Sequence, residues 1–200
     1  MPLTDTIRSL IWLPTRVEKG QKDLITYQFI VQFASSIALT VATGVYLWGY
    51  ETETECTAPS STDADATTVD VSLRFRNILK IWFAYAVTDM VRCLCVFGFL
   101  LYKSGIYAWL YHGLVYNDLV GLVAIMLVHI YRLQYSGQVC SGDYLPESKA
   151  EPGFLVERGK YLIGLVIYSW LGLMTILCVQ SCVSMAAWRR MHENKQFQPL

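Results

Sequence analysis

Four long apolar runs, at about residues 25–50, 78–102, 105–133 and 161–188, constrain this chain more than any other feature. A helix needs about 20 residues, rising 1.5 Å each, to cross about 30 Å of hydrocarbon, and every run exceeds that. Lipid offers no water to bond the backbone, so a chain in it crosses only as helices or as a closed barrel. Composition points the same way. Of 200 residues, 54% are hydrophobic and 16% charged, whereas about a quarter of a soluble domain is charged.

The placement of charge sets the expected topology. Formal net charge is zero, which gives no reason to expect nucleic acid as a partner. Arg8, Arg16, Lys19 and Lys22 precede the first run, Lys103 sits between the second and third, and Arg189, Arg190 and Lys195 follow the fourth. The other two connections are acidic. Glu51, Glu53, Asp63, Asp65 and Asp70 outnumber Arg74 and Arg76 in one, and Asp143, Glu147, Glu151 and Glu157 outnumber Lys149 and Arg158 in the other. The positive-inside rule then puts both termini in the cytoplasm and loops 51–77 and 134–160 outside, in a plasma or secretory-pathway membrane. The chain thus divides into a cytoplasmic amphipathic and basic segment 1–24, a four-span domain 25–188 and a cytoplasmic tail 189–200. The patch Leu10, Ile11, Trp12, Leu13 ends at Pro14; it is too short for a cleavable signal and suits the inner interface.

Six cysteines refine this picture. Cys56 and Cys140 fall outside the runs, one in each outer loop, so an oxidising compartment would let them bridge. Such a bridge contributes roughly 3–5 kcal/mol by restricting the unfolded chain. Thr68, Val69, Asp70, Val71, Ser72 and Leu73 alternate in polarity as a short strand does, and Gly142 and Pro146 mark turns after Cys140. The two loop segments are expected to pair. The predicted fold is therefore all-α, a four-helix transmembrane bundle with short antiparallel connections and a small disulfide-linked extracellular cap. Cys93, Cys95, Cys178 and Cys182 lie within runs and read as packing residues without metal partners. Cys182, about two turns before Arg189, is also placed for palmitoylation.

Polar residues inside lipid must face protein or water. Asp89 and Arg92 lie in the second run, Asn117 and Asp118 in the third, with a tight turn near Ser104 between them. Counted outward from that turn, Asp89 and Asp118 stand at nearly equal depth, so Asp89, Arg92, Asn117 and Asp118 should meet near the midplane as an intramembrane polar cluster. Two carboxylates around one arginine serve either as a lock between helices or as part of a cation or proton path. The expected lock is favoured, since a path would want further acids in series. Lys80, His112 and His129 are read as the remaining ionisable groups in or near the runs, bonded to neighbouring helices or interfacial water.

Small residues mark expected helix contacts. Ser36, Thr40 and Gly44 repeat every four positions on the first run, extended by Gln28 and Gln32, and Gly164, Tyr168 and Gly172 form a comparable face on the fourth. Tyr46, Trp48, Tyr50, Trp82, Tyr107, Trp109, Tyr111 and Trp188 read as interfacial belts. No phosphate loop, nucleophile elbow or His-Glu-x-x-His set occurs in the sequence, so neither an enzyme nor a metal, a cofactor or a soluble small-molecule substrate is expected. The plan resembles tetraspanins, claudins and gap-junction proteins in topology alone, since it lacks the tetraspanin Cys-Cys-Gly and has one cysteine per outer loop. The expected function is a non-enzymatic multi-pass membrane protein, in contact with membrane lipids, that self-associates as a homo-oligomer or larger assembly and scaffolds its membrane. The alternatives are a small channel or transporter subunit built on Asp89, Arg92 and Asp118, or an accessory subunit of a larger membrane complex.

Overall fold

A computed structural model describes residues 19–49, 55–63, 65–102, 104–144 and 154–196, without the side chains of residues 19–28, 100, 108, 176, 177 and 179–196. The chain is mostly helical. In order it forms α1 (Lys19–Trp48), strands β1 (Thr57–Pro59) and β2 (Thr68–Asp70), then α2 (Val71–Tyr102) and α3 (Gly105–Gly113). A 3-10 turn (Leu114–Tyr116) leads into α4 (Asn117–Leu133), followed by α5 (Tyr135–Cys140) and α6 (Val156–Gln196). The basic residues before Lys19, Lys103, and Glu147, Lys149 and Glu151 lie outside the described residues.

Among the described residues, three stretches are long and apolar enough to cross a membrane: Phe29–Trp48, Val71–Phe99 and Gly105–Leu133. Among the described residues the polarity is inverted relative to a protein in water. Val41, Leu119, Ile130, Ile167, Trp170 and Leu171 are each more than half exposed, while Asp89, Arg92, Asn117, Arg132 and Arg158 are buried. Apolar surface on this scale is costly in water and costs nothing against acyl chains, so the arrangement is consistent with an integral membrane protein.

The apolar core gathers at the disulfide end. Phe75, Ile78, Leu79 and Trp82 of α2 pack there with Leu47 of α1, Ala124 and Val128 of α4, and Leu162, Leu165 and Val166 of α6. Trp82 is a core residue rather than the belt residue expected from sequence. It is only 1% exposed and stands edge-on to Tyr85 at 5.8 Å, because its helix face turns toward α4 and α6. Leu162, Leu165, Val166 and Ser169 are the last residues of α6 to be buried among the described side chains.

Several boundaries differ from the expected ones, each for a local reason. α2 begins at Val71 instead of near 78, because Asp70 Oδ1 accepts the Leu73 N–H at 2.9 Å and caps the helix. The alternating segment is therefore strand only as far as Asp70. β2 pairs antiparallel with β1 of its own loop, Thr57 opposite Asp70, and not with the segment around Cys140. That cysteine ends the short helix α5, and Gly142, at φ +76°, turns the chain beyond it. The Cys56–Cys140 disulfide, with Cα atoms 6.0 Å apart, joins ribbon and helix.

The third apolar run is not a single α-helix. It breaks at the 3-10 turn Leu114–Tyr116, directly after Gly113, whose missing side chain makes a continuous helix costlier there. The break falls just before Asn117 and Asp118.

Candidate functional site

α2 carries the site, because it lies between α1 on one side and α3 and α4 on the other. Asp89 and Arg92, one turn apart, share a face and bond to different neighbours, Asp89 to α1 and Arg92 to α4. Arg92 Nη2 donates to Asp89 Oδ1 at 2.6 Å, and Nη1 donates to Asp118 Oδ1 at 2.5 Å. Asp89 is also held from α1. Gln32 Nε2 donates to Asp89 Oδ1 and Oδ2 at 2.9 and 3.1 Å, and Ser36 Oγ donates to Oδ2 at 2.5 Å. Asn117, the fourth residue expected in the cluster, bonds elsewhere: its Nδ2 donates to the Tyr85 carbonyl at 3.1 Å. Residues of α1, α2 and α4 thus converge on a few hydrogen-bonded atoms.

The members differ sharply in exposure. The Asp89 and Arg92 side chains are 5% and 9% exposed, that of Asp118 61%. A buried carboxylate with this many donors is well compensated, and removing a partner would leave a charge without water or counter-charge. Arg92 Nε is buried and lacks a hydrogen-bond partner among the described residues. No group of three or more His, Cys, Asp and Glu side chains is placed to hold a metal among the described residues. Chemically, the site can hold helices together and present one partly open carboxylate.

Close approach of the backbones supports this meeting. A Cβ at Gly121 would lie 2.6 Å from the Tyr85 ring, and one at Gly98 would lie 2.7 Å from the Tyr107 ring. Glycine lets α4 and α3 come close enough to α2 for Asp118 to reach Arg92. On α1 the buried positions are Ser36, Thr43 and Leu47, with Thr40 and Gly44 beside them. The buried face follows the helix period, whereas a strict four-residue repeat drifts around the cylinder. A Cβ at Gly44 would lie 3.4 Å from the Trp48 ring and 3.5 Å from the Phe83 ring. At Gly164 and Gly172 a Cβ would meet no atom of another element within 4 Å among the described residues.

A second polar network, at the disulfide end, has no counterpart in the sequence expectations. Arg132 is an ionisable group of the third run that they omitted. It is buried and forms a two-pronged pair with Asp143 at 2.8 and 2.9 Å, while its Nε donates to the Gly159 carbonyl at 2.9 Å. Buried Arg158 donates through Nε to the Tyr46 carbonyl at 3.2 Å. Tyr161 stacks on Tyr46 at 4.3 Å and shares a hydrogen bond with Thr43 at 2.7 Å. Together these tie α6 to α1 and α4. Arg132 and Arg158 each sit within reach of an acidic loop, the one cue in the sequence that would have found them.

The other singled-out residues are scattered. Cys93 and Cys95 are buried and Cys178 is exposed, all three as free thiols. The side chains of Cys182 and Gln28 fall outside those described. His129 donates through Nδ1 to the Ile125 carbonyl at 2.7 Å, beside Trp170. Lys80 is exposed on α2. No known protein family, no curated protein and no solved structure matches this chain.

Proposed function

We propose that this chain is a non-enzymatic four-span membrane protein that self-associates through its open helix faces and organises the membrane around it. In this reading α6 supplies the fourth span to a four-helix bundle. The ribbon, α5 and their disulfide form a small cap on the oxidising side, and both termini are cytoplasmic, in a plasma or secretory-pathway membrane. The observation that carries the reading is the inverted polarity: apolar side chains outside, and inside a charge network whose buried carboxylate is satisfied from α1 and α2. A buried carboxylate held by donors from two helices keeps those helices in place, whereas a conducting path needs exchangeable sites open to water at both ends.

Association follows from what is left uncovered. Gly164 and Gly172 leave room on α6 for another backbone on either side of Tyr168, which itself shares a hydrogen bond with Ser35 of α1 at 2.8 Å, and small residues let transmembrane helices pack closely in the absence of a hydrophobic drive. Association can be measured by chemical cross-linking and native mass spectrometry of the purified chain in lipid nanodiscs, with ion flux recorded in vesicles. Assemblies without flux, weakened by Gly164→Leu or Gly172→Leu, support the scaffold. Monomers count against the scaffold, and flux lost on Asp89→Asn counts for the small channel or transporter subunit instead.

A further inference from the structure

We infer that the Asp118 face of α4 docks a transmembrane helix of a different protein, one carrying a lysine or arginine at mid-depth. The inference rests on the membrane reading above but not on self-association. Its starting point is the mismatch between Asp118, whose side chain is 61% exposed, and its partner Arg92 at 9%. Asp118 stands on a stripe with Leu122 and Met126, and Leu119 and Val123 flank it, all exposed. Its open oxygen therefore faces whatever surrounds the protein, about halfway along the apolar stretch Gly105–Leu133.

Charge does not close inside the protein. Asp89 and Asp118 share one guanidinium, which leaves one negative charge at mid-depth. Asp118 lies in the first turn of α4, just past the 3-10 turn, where it accepts from Arg92. A carboxylate is thus stabilised from the protein side and unsatisfied on the other. Acyl chains offer it no donor, and charges within membranes pair with one another.

A second copy does not fit the need. Within the four apolar runs the lysines and arginines are Lys80, Arg92 and Arg132, and the histidines His112 and His129 stand six and eleven positions from Asp118, about 9 and 17 Å along the run. Arg92 already bonds both carboxylates, and Arg132 is buried on Asp143. Lys80 lies nine positions from Asp89 toward the disulfide end, about 14 Å along the helix axis and beyond a lysine side chain's reach. Rotation about the membrane normal keeps every residue at its own depth, so no symmetric assembly brings Lys80 to Asp118. The complementary cation must come from another chain.

The test uses the whole protein, reconstituted in lipid vesicles and fluorescently labelled, with single-span polyleucine helices as probes. These carry lysine, leucine or glutamate at the centre, and association is read by energy transfer. The lysine helix should bind about tenfold more tightly than the leucine helix, the scale of one interhelical polar contact in lipid, and the glutamate helix no better than leucine. The preference should vanish in Asp118→Asn. It should also weaken in Leu122→Trp, which crowds the face while leaving the carboxylate, both variants being checked for an intact Cys56–Cys140 bridge on non-reducing gels. Equal binding of the three probes overturns the inference, as does a lysine preference that survives Asp118→Asn. Asp118-dependent self-association would assign the face to a second copy, and Asp118-dependent ion flux would assign it to water; either also overturns it. A chain that remains monomeric yet keeps the lysine preference refutes the scaffold and leaves this inference standing.

Discussion

At the scale of single residues, the two ends of the Arg92 bridge should behave differently. Arg92→Ala strands Asp89 among Gln32 and Ser36 with its counter-charge gone, and breaking a buried pair in this way costs roughly 3–5 kcal/mol. Asp118→Ala leaves Asp89 and Arg92 as a neutral buried pair and removes a charge that faces acyl chains, so it should cost much less than Arg92→Ala. Detergent-titrated unfolding of both variants checks the asymmetry, and equal losses would contradict it. Asp89, Arg92 and Asp118 are conspicuous in the sequence, because a charge within an apolar run has few explanations and a tight turn relates the depths of its two arms. Gln32 and Ser36 are not. Neutral polar residues in a run rich in Ala, Ser and Thr look like packing, and which way α1 is rotated about its axis is decided only when it docks.

At the scale of elements, glycine sets how closely α4 approaches α2. Gly121→Leu forces a side chain into the space of the Tyr85 ring, which is itself braced edge-on against buried Trp82. Overpacking of this sort costs about 1–3 kcal/mol, and it should also lengthen the Arg92 to Asp118 contact. Gly105 provides the control: a Cβ there meets nothing within 4 Å, so Gly105→Ala should change stability by less than about 1 kcal/mol and in the stabilising direction. Chemical unfolding of the pair measures the difference. The existence of the long helices follows from hydrophobic length, but their ends do not. The start of α2 depends on the Asp70 cap and on the ribbon that delivers it. Asp70→Ala should cost about 1 kcal/mol and loosen amide exchange in the first turn of α2. The 3-10 break was equally hard to read, since Gly113 alone is a weak signal in a run that is otherwise apolar throughout.

At the scale of the whole molecule, the disulfide end does most of the joining. The Cys56–Cys140 bridge closes a separation of 84 residues, Arg132 links α4 to Asp143 and to the Gly159 carbonyl of α6, and Tyr161 docks on Thr43 and Tyr46 of α1. Toward the other end, α6 exposes Leu171, Leu173 and Met174, so less packing resists its separation there. The pair of cysteines was legible because they alone lie between the apolar runs; the arginine clamp was not, because Arg132 sits at the edge of a run where a charge is unremarkable. Losing the bridge in a Cys56→Ser, Cys140→Ser double variant should cost about 2–5 kcal/mol, with the loss felt first where α5 and the ribbon meet. Under the proposed topology, each single variant leaves one thiol on the oxidising face. An impermeant maleimide added outside intact cells should label Cys140 in Cys56→Ser, and Cys56 in Cys140→Ser, at comparable rates. Labelling of one from outside and of the other only after permeabilisation would place the two loops on opposite faces and invert the assignment of the termini for half the molecule.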